Sequence, residues 1–428
     1  MANDWVGVSV NSVQLAQIRV YMHPANILID HYTYSLPDDR IARYPQPERD
    51  ASKLLVYRNG AITDACYRDI DQYLPAGSLL VFNNTKVVEA RLLFQKPSGG
   101  MIELFCLEPH DSYGDITTGL LQQGRVWWKC LVGGASKWKP GQVLQKNLEP
   151  GIHLEARYVE KLADSFVIEL VWTPAHVTFA DILHHAGQLP LPPYLKRAAE
   201  TADLERYQTI YAEQEGSVAA PTAGLHFTPA LLDKLRQKNI HPAFLTLHVG
   251  AGTFKPVKTA TIGDHNMHAE ALDIPRAFIR QLIDAGSQVF AVGTTSLRTL
   301  ESLYWMGVKT HLDANLPHVD LAIGQWEVYG EKLATGLPVK EALENLLQWM
   351  DSHGLERLLV KTQILIAPGY SIRTVKGLIT NFHQPQSTLL LLVAAVAGND
   401  WKTIYDHALA NDYRFLSYGD GSLLFNGS

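Results

Sequence analysis

The chain has 428 residues, 46% hydrophobic and 19% charged, so it is long enough to form two domains with separate cores. Its 37 Lys and Arg residues against 43 Asp and Glu residues give a net charge of -6, which excludes an overall basic nucleic-acid-binding surface but leaves a local basic face open. The 3 cysteines have no paired spacing, which argues against a disulfide framework or a zinc knuckle and favours a reducing cytoplasm.

No segment has the pattern of a signal peptide or of a membrane helix. Asn11, Gln14 and Gln17 interrupt the apolar region near the start of the chain. The most apolar run, residues 389–397, is much shorter than the roughly 20 residues that cross a bilayer. We therefore interpret this run as a buried core helix and expect a cytoplasmic protein without a membrane span.

Short β-prone segments separated by Gly and Pro dominate residues 91–172. They cover residues 101–107, 125–132, 152–158 and 165–172. Segments of this length and spacing are typical of a small β-barrel or sandwich.

Helices and strands alternate in the rest of the chain. Thr178 and Thr228 stand where helix N-caps are expected, and Gly187 follows the first of these helices. The pattern predicts a strand at residues 244–249. It next predicts a helix at 275–285. A buried strand at 289–292 and a helix from Leu297 complete the pattern, which favours a mainly parallel sheet.

Four loops gather small residues, His and hydroxyl groups where packing alone does not require them. They are residues 216–228, 248–257, 293–298 and 380–388. In the third, Thr294, Thr295 or Ser296 can cap the helix that follows, and the free backbone N–H groups can bind a carboxylate or a phosphate. Simple helix capping is the alternative reading of that loop.

Gly250 and Gly252 allow a ligand to approach the backbone closely. The third glycine of a dinucleotide fingerprint is missing, so the loop does not predict an NAD site.

Three of the 17 histidines, His226, His248 and His383, lie in such loops or at a strand end and are candidate acids or bases, although a structural role is the alternative for each. His184 and His185 fall on the polar side of their helix, and we expect both to be solvated.

Two further patterns leave alternatives open. His265, His268 and Glu270 have a spacing that could hold zinc, which would make the protein a metal-dependent hydrolase, but no HExxH helix or Cys pair supports that reading. Trp138 with its two flanking lysines could stack on exposed RNA bases, or could simply form a turn of the β-rich region.

The motifs form an ordered set from Tyr32 to Phe425. They are YSLPDDRIARYP, PERDASKLLV, LVFNNTKVVEARL, LPLPPYL, ERYQTIYAEQEGSVAAPTAGLHFT, LTLHVGAGTFKPV, VGTTSLRTLES, GLITNFHQPQSTLLLLVAA and YRFLSYGDGSLL. This set resembles the S-adenosylmethionine:tRNA ribosyltransferase-isomerase family of queuosine biosynthesis.

The resemblance implies that the ribosyl group of S-adenosylmethionine is transferred to 7-aminomethyl-7-deazaguanine in tRNA, which gives epoxyqueuosine and releases adenine and methionine. It implies a monomer whose partners are tRNA and S-adenosylmethionine, with no metal or other cofactor. The implied fold is α/β, with a discontinuous α/β domain at residues 30–88 and 173–428 and a smaller inserted antiparallel β-barrel domain at 89–172. Residues 1–29 would be an N-terminal extension.

The implied reaction needs a base, because the sulfonium acidifies the neighbouring 5′ hydrogens, and an acid to protonate departing adenine. For these roles we consider four catalytic candidates: His226, His248, Glu270 and His383. The substrate-binding candidates are Thr222, Gly224, Gly250, Gly252, Thr253, Thr294, Thr295, Ser296, Arg298, Asn381 and Arg414, the last as a phosphate contact. Tyr413, Tyr418 and Asp420 are expected to close the site.

The chain departs from the family pattern at three places. Asn84 stands where Asp is usual, and Lys86 stands where Arg is common. The segment 303–360 is longer than usual, with a part around 325–350 that reads as helical and as an addition. These departures leave open a paralogue with a changed acceptor or a non-catalytic tRNA-binding protein.

Overall fold

The computed structural model describes residues 23–139, 141–148, 151–250 and 257–427. The helices in these ranges are α1 Ile116–Leu120, α2 Phe179–Ala186, α3 Asp203–Arg206, α4 Pro229–Gln237, α5 Arg276–Ala285, α6 Thr294–Leu312, α7 Val339–Ser352, α8 Thr388–Ala397 and α9 Trp401–Ala410. The strands are β1 Lys53–Arg58, β2 Ala61–Cys66, β3 Leu79–Asn83, β4 Thr85–Val87, β5 Arg91–Gln95, β6 Met101–Pro109, β7 Arg125–Gly133, β8 Val143–Leu148, β9 Ile152–Lys161, β10 Phe166–Thr173, β11 Gly187–Gln188, β12 Gln214–Ser217, β13 His241–His248, β14 Glu270–Pro275, β15 Val289–Val292, β16 Arg357–Thr362, β17 Gly377–Asn381 and β18 Gly421–Phe425.

A nine-stranded mixed sheet forms the centre of the molecule, with the order β16-β14-β13-β3-β15-β17-β18-β1-β2. The middle strands β13, β3, β15 and β17 are parallel, while β14 and β16 on one side and β17 with β18 on the other pair antiparallel. The prediction of a mainly parallel sheet therefore holds only for the middle, because β14, β16 and β18 each run opposite to the strand that they extend.

Alternate residues of the middle strands bury both faces of this sheet. Val81 and Ala291 lie in one core with α5, α6, α7 and α8. Phe82 and Phe290 point the other way and pack with Leu231 of α4. Strands covered on both faces read as continuous apolar runs, which is why the sequence at 289–292 indicates a buried strand.

A second, antiparallel sheet has the order β11-β5-β6-β7-β10-β9-β8 and curls so that β5 approaches β8. It confirms the four β-prone segments as β6, β7, β9 and β10; the first three extend further than predicted, and β10 is shifted by one residue. Its core contains Phe179 and Leu183 of α2, so elements after residue 172 also pack on this sheet. Trp138 is buried in the same core and its Nε1 donates to the Gln142 carbonyl at 2.8 Å, so the prediction that it stacks on exposed bases is wrong.

The local helix signals are confirmed at two sites. The Thr178 side chain caps α2 in a capping box with Asp181, and Gly187 is the C-cap residue. Thr228 caps α4, accepting from the Leu231 N–H at 3.1 Å. The run at 389–397 is also confirmed as a core helix, α8. No helix in the described ranges is long and apolar enough to cross a membrane.

Helix α6 begins earlier than predicted. Gly293 is its N-cap residue with φ +92°, and Thr294 already has helical geometry. The prediction that a hydroxyl at 294–296 caps this helix is wrong, because Ser296 Oγ donates back to the Val292 carbonyl at 2.9 Å and no side chain caps the helix. The free N–H groups of the first turn therefore have no competing hydroxyl cap.

The longer segment before Val360 forms α7, which packs directly on α6. A Cβ built at Gly307 would lie 2.1 Å from the Ala342 carbonyl oxygen, so only glycine allows this approach. The helix covers 339–352, and short 3-10 turns precede it, so the predicted helical stretch at 325–350 is only partly helical.

Candidate functional site

A cavity of about 80 Å³ lies where the carboxyl ends of β13, β15 and β17 meet, and we call it the central cavity. Its position is where open α/β sheets usually bind ligands. The lining residues are Tyr194, Ala219, Ala220, Pro221, Thr222, Ala223, Val249, Gly293, Thr294, Thr295, Thr380, Asn381, Phe382, His383, Gln384, Ser387, Leu389, Leu416 and Ser417.

Two helices begin at the central cavity. Gly293, Thr294 and Thr295 bring the first turn of α6 to its wall, and Ser387, the N-cap of α8, lies on the wall as well. The Oγ1 atom of Thr295 is buried and finds no hydrogen-bond partner among the described residues. Free N–H groups and the helix dipole favour an anionic group at such a position.

Asn381, at the end of β17, is held in one orientation by three other groups. The Thr222 hydroxyl donates to Asn381 Oδ1 at 2.8 Å. The amide Nδ2 lies 3.3 Å from Nε2 of His226 and donates more weakly to the Asp420 carbonyl at 3.5 Å. Asn381 is 3% exposed, so this network fixes a buried amide in the cavity wall.

His226 lies behind Asn381. Its ring stacks on Tyr67 with centroids 4.1 Å apart, and its Nδ1 is 3.4 Å from the Arg49 carbonyl oxygen. A carbonyl can only accept, so Nδ1 carries the proton and Nε2 accepts from Asn381. Burial lowers the pKa of His226 to about 3, so the ring is neutral near pH 7. These contacts make His226 a positioning residue for Asn381.

His383 is the predicted catalytic histidine that lines the central cavity. Its Nε2 lies 2.9 Å from the Thr380 hydroxyl, while its backbone N–H and carbonyl bond to the Tyr405 and Tyr34 hydroxyls. Loss of hydration lowers the pKa of His383 to about 3. A neutral imidazole fixed at both backbone groups is available to accept a proton.

His248 lies in a second cavity of about 650 Å³, between the antiparallel sheet and the β13–β14–β16 side of the central sheet, which we call the lateral cavity. Val249 lines both cavities, so they adjoin. The imidazole Nδ1 is 3.3 Å from the Thr85 hydroxyl, and burial lowers the pKa of His248 to about 4, against the opposing influence of Asp273 and Asp115.

Glu270 and Arg298 form a buried ion pair and line neither cavity. Both are about 5% exposed, and Arg298 Nε also donates to the Ile364 carbonyl at 3.2 Å. The structure thus pairs Glu270, predicted as an acid or base, with Arg298, predicted to bind substrate, and buries both in the core. Removing one partner would leave an uncompensated charge.

Two other predicted binding residues have internal partners. Ser296 is fully buried with its hydroxyl bonded to the Val292 carbonyl. Gly224 packs against Tyr211, whose hydroxyl would lie 1.9 Å from a Cβ, so its small size serves packing. Gly250 lines the lateral cavity, while Gly252 and Thr253 lie outside the described residues.

The C-terminal loop contributes to the rear of the site. Arg414 donates to the Tyr44 and Tyr418 carbonyls at 3.3 and 3.1 Å. Asp420 accepts from the Arg414 and Lys53 N–H groups at 2.8 and 2.9 Å, and burial raises its pKa. The buried Tyr413 hydroxyl donates to Asp64 at 2.6 Å. Apart from Leu416 and Ser417, this loop supports the cavity wall without lining it.

Asn84 is occupied by structural contacts away from both cavities. Its Oδ1 accepts from the Thr246 hydroxyl at 2.7 Å, and its Nδ2 donates to Glu213 at 3.3 Å. Lys86 forms an ion pair with Glu215 at 2.8 Å. An Asp in place of Asn84 would put two carboxylates side by side, which gives a physical reason for the amide here.

The zinc reading finds no support in the described part of the chain. No group of three or more His, Cys, Asp or Glu side chains there could hold a metal ion. Glu270, one of the three proposed ligands, is instead paired with Arg298.

Sequence reasoning missed several cavity residues. Tyr194 and Ser417, whose hydroxyls are 2.5 Å apart, come from segments more than 200 residues apart along the chain, and no local pattern joins them. Gly293 did carry a signal, since a glycine between a buried strand and a helix indicates special backbone geometry.

Comparison with known proteins assigns most of the chain to one family. The sequence model of the family described as "Queuosine biosynthesis protein" matches residues 29–424. A curated S-adenosylmethionine:tRNA ribosyltransferase-isomerase from Trichlorobacter lovleyi is 37% identical over 404 residues, which cover 93% of this chain and 100% of that protein. A crystal structure of an S-adenosylmethionine tRNA ribosyltransferase from Thermotoga maritima is 28% identical, with a TM-score of 0.43, 92% of this chain covered and 99% of that one. The chain belongs to the queuosine biosynthesis protein family.

Proposed function

We propose that this protein is an S-adenosylmethionine:tRNA ribosyltransferase-isomerase. It transfers and isomerises the ribosyl group of S-adenosylmethionine onto 7-aminomethyl-7-deazaguanine in tRNA, which yields epoxyqueuosine and releases adenine and methionine. The full-length relative at 37% identity supports this activity. The single structural observation that carries it is the central cavity, where two helix N termini, an oriented amide and a neutral imidazole converge.

S-adenosylmethionine is proposed to bind in the central cavity. Its methionine carboxylate is an anion and would lie at the start of α6, where the Thr294 and Thr295 N–H groups are free and the Thr295 hydroxyl has no partner among the described residues. Asn381, which both donates and accepts, is suited to a polar edge of the substrate.

His383 is the proposed base of the reaction. It lines the central cavity with a neutral ring, and to take a 5′ proton made acidic by the adjacent sulfonium its pKa has to rise above the value of about 3 that burial gives it. The electron pair left at the 5′ carbon breaks the C4′–O4′ bond of the ring, and the released oxygen forms a carbonyl at C1′ as the C1′–N bond breaks and adenine leaves with a proton from an acid. His226 cannot serve directly, because Asn381 stands between it and the cavity.

The acceptor nucleotide is proposed to enter the lateral cavity. This cavity adjoins the central one at Val249 and is the larger of the two. Its wall holds His248 in the neutral form, whose ring can accept a hydrogen bond from the acceptor amine and orient it towards the ribosyl group. The turn at 318–321, in the segment 303–360 that is longer than usual in the family, forms part of the wall.

The organisation of the chain supports a matching domain proposal. Strands before residue 84 and after 240 share the central sheet, while β5 to β10 form the antiparallel sheet. We therefore propose one discontinuous α/β domain with an inserted, barrel-like domain. A cytoplasmic monomer that uses no metal or other cofactor is the proposed working state.

A product assay tests this function. The purified protein is incubated with S-adenosylmethionine and tRNA bearing 7-aminomethyl-7-deazaguanine, and adenine, methionine and the modified nucleoside are measured by mass spectrometry. All three products are expected from the wild type, and about 100-fold less from His383→Gln. Unchanged tRNA mass with the wild type would contradict the proposal.

A further inference from the structure

Three arginines at the rear of the site, Arg49, Arg206 and Arg414, have only backbone carbonyls as hydrogen-bond partners among the described residues, and we call them the arginine cluster. Arg49 donates to the Leu225 and Glu205 carbonyls at 3.1 and 2.9 Å. Arg206 donates to the Pro47 and Gln46 carbonyls at 3.3 and 2.5 Å. Arg414 donates to the two carbonyls described above.

None of the three forms an ion pair within the part of the chain that the structure describes, whereas nearby arginines do. Arg197, for example, binds both carboxylate oxygens of Asp203 at 2.6 and 2.7 Å. The Nε atoms of Arg206 and Arg414 are also buried without a partner among the described residues. Two of the three guanidinium groups thus keep an unused donor, and none of the three is bonded to a carboxylate among the described residues, an arrangement that favours an anion.

Two members of the cluster, Arg49 and Arg206, line a small cavity next to the central cavity. Arg49, Arg206, His226 and Ser417 are among its lining residues, and Ser417 also lines the central cavity. The charged groups acting on Arg49 are Arg206 and Glu205, and burial together with Arg206 lowers the pKa of Arg49. Asp420 is the acid that acts on Arg414, and its oxygens already accept two backbone N–H groups.

An exposed aromatic ring lies next to these charges. Tyr44 is 52% exposed, and its ring rests on the Arg197 guanidinium at 4.2 Å, while its backbone carbonyl accepts from Arg414. Its hydroxyl donates to Glu200 at 2.8 Å, which fixes the ring plane. A fixed, exposed aromatic ring beside unpaired arginines is the combination that binds a nucleic-acid base together with its phosphates.

We propose that Tyr44 and the arginine cluster form a contact surface for RNA, in which the arginines bind backbone phosphates and Tyr44 stacks on a base. That this RNA is tRNA rests on the proposed function. The surface gives a protein of net charge -6 the local basic face that RNA binding requires. Its position behind Asn381 places the bound strand beside the reacting cavity.

The salt dependence of tRNA binding tests this surface. The affinity of a fluorescent, unmodified tRNA transcript is measured by anisotropy between about 50 and 200 mM salt, a range over which phosphate contacts are strongly screened. Arg206→Gln and Arg414→Gln should each lower the slope of log affinity against log salt by about 1. Arg206→Lys should restore most of the slope, and Tyr44→Ala should weaken binding about tenfold with an unchanged slope.

Arg236→Gln is the matched control, because Arg236 on α4 is paired with Asp233 and should leave the slope unchanged. Because Arg206→Gln and Arg414→Gln also lose hydrogen bonds to backbone carbonyls, binding is measured well below the melting temperature of each variant. The affinity for S-adenosylmethionine should stay at the wild-type value, which separates RNA contact from a loss of folding. Inorganic phosphate is titrated in parallel, since an effect on phosphate affinity alone would overturn the assignment to RNA.

The outcomes separate this inference from the proposed function. Wild-type slopes in the arginine variants, or no tRNA binding by the wild type, would overturn the surface. A reduced slope together with an inactive wild type would support the surface while contradicting the proposed reaction.

Discussion

Asn381 donates its amide N–H to Nε2 of His226 across 3.3 Å, which makes a neutral histidine the acceptor that fixes an amide in the wall of the central cavity. Replacing the acceptor should therefore act on the reaction through Asn381. His226→Phe keeps an aromatic ring to stack on Tyr67 but removes Nε2, and we expect kcat to fall by about tenfold or more, as for other groups that orient a functional side chain.

A double-mutant cycle measures this coupling. Asn381→Ala and the variant with both changes should have the same kcat, because His226 acts only through the amide. Tyr67→Phe is the control, since the Tyr67 hydroxyl has no partner among the described residues, and its kcat should stay near the wild-type value. Fully additive losses in the double variant would show that His226 acts independently.

Acid should destabilise the protein through its buried histidines. Burial lowers the pKa of His226 to about 3 from the ordinary value near 6.5, so below pH 6.5 the unfolded chain binds a proton that the folded state does not. The free energy of unfolding should therefore fall as the pH drops from 7 to 5, by up to about 2 kcal/mol from His226 alone.

Urea titrations at pH 7 and pH 5 check this contribution. His226→Phe should lose less stability than the wild type over this interval, because it has no ring to protonate. The exposed His184 provides the control variant His184→Gln, which should follow the wild-type curve. An identical loss for wild type and His226→Phe would contradict the neutral buried ring.

Glu270 should contribute to the stability of the fold and have little effect on kcat. Glu270→Gln removes the negative partner of buried Arg298, and breaking a buried pair in this way costs about 3–5 kcal/mol. We expect a lower urea midpoint with kcat of the folded fraction close to the wild-type value. A tenfold loss of kcat at unchanged stability would return Glu270 to the catalytic residues.

The variant Asn84→Asp, which restores the usual residue of the family, tests whether this departure affects structure or chemistry. Asn84→Asp places a second carboxylate beside Glu213, whose oxygen is 3.3 Å from the present amide, and removes the donor between them. Stability should fall by about 1–3 kcal/mol at pH 7 and partly recover at pH 5, where one carboxyl is protonated. Higher activity with unchanged stability would instead assign this position to the reaction.

Signals that act within a few residues were readable from the sequence. Thr178 and Thr228 cap their helices because a cap needs only a hydroxyl near the first turn. The strands around 101–172 were readable because alternating side chains and turn residues recur at short intervals. The antiparallel strands of the central sheet could not be predicted from the sequence. The direction in which β18 pairs with β17, for example, depends on packing against distant parts of the chain.

The site was only partly readable for the same reason. Thr222, Asn381 and His383 were named from their loops, and all three line one cavity. Asn381 and His383 lie there because β17 ends at the same edge as its parallel neighbours, whereas Thr222 follows β12, outside the central sheet. Glu270 and Arg298 looked equally suitable, but no local pattern reveals that two such groups neutralise each other in the core. The three arginines that lack ion pairs are likewise visible only once their partners are known.

The affinity of Thr295→Val for S-adenosylmethionine, measured by calorimetry, tests most directly whether the central cavity binds this substrate. Thr295 Oγ1 has no partner among the described residues, whereas Thr299, one turn further along α6, bonds to the Thr295 carbonyl at 2.9 Å and supplies the control Thr299→Val. We predict that Thr295→Val weakens binding by about tenfold, the value of one hydrogen bond to a charged group, at an unchanged melting temperature, while the control binds normally. Equal, wild-type affinity in both variants would contradict the placement of S-adenosylmethionine at the start of α6.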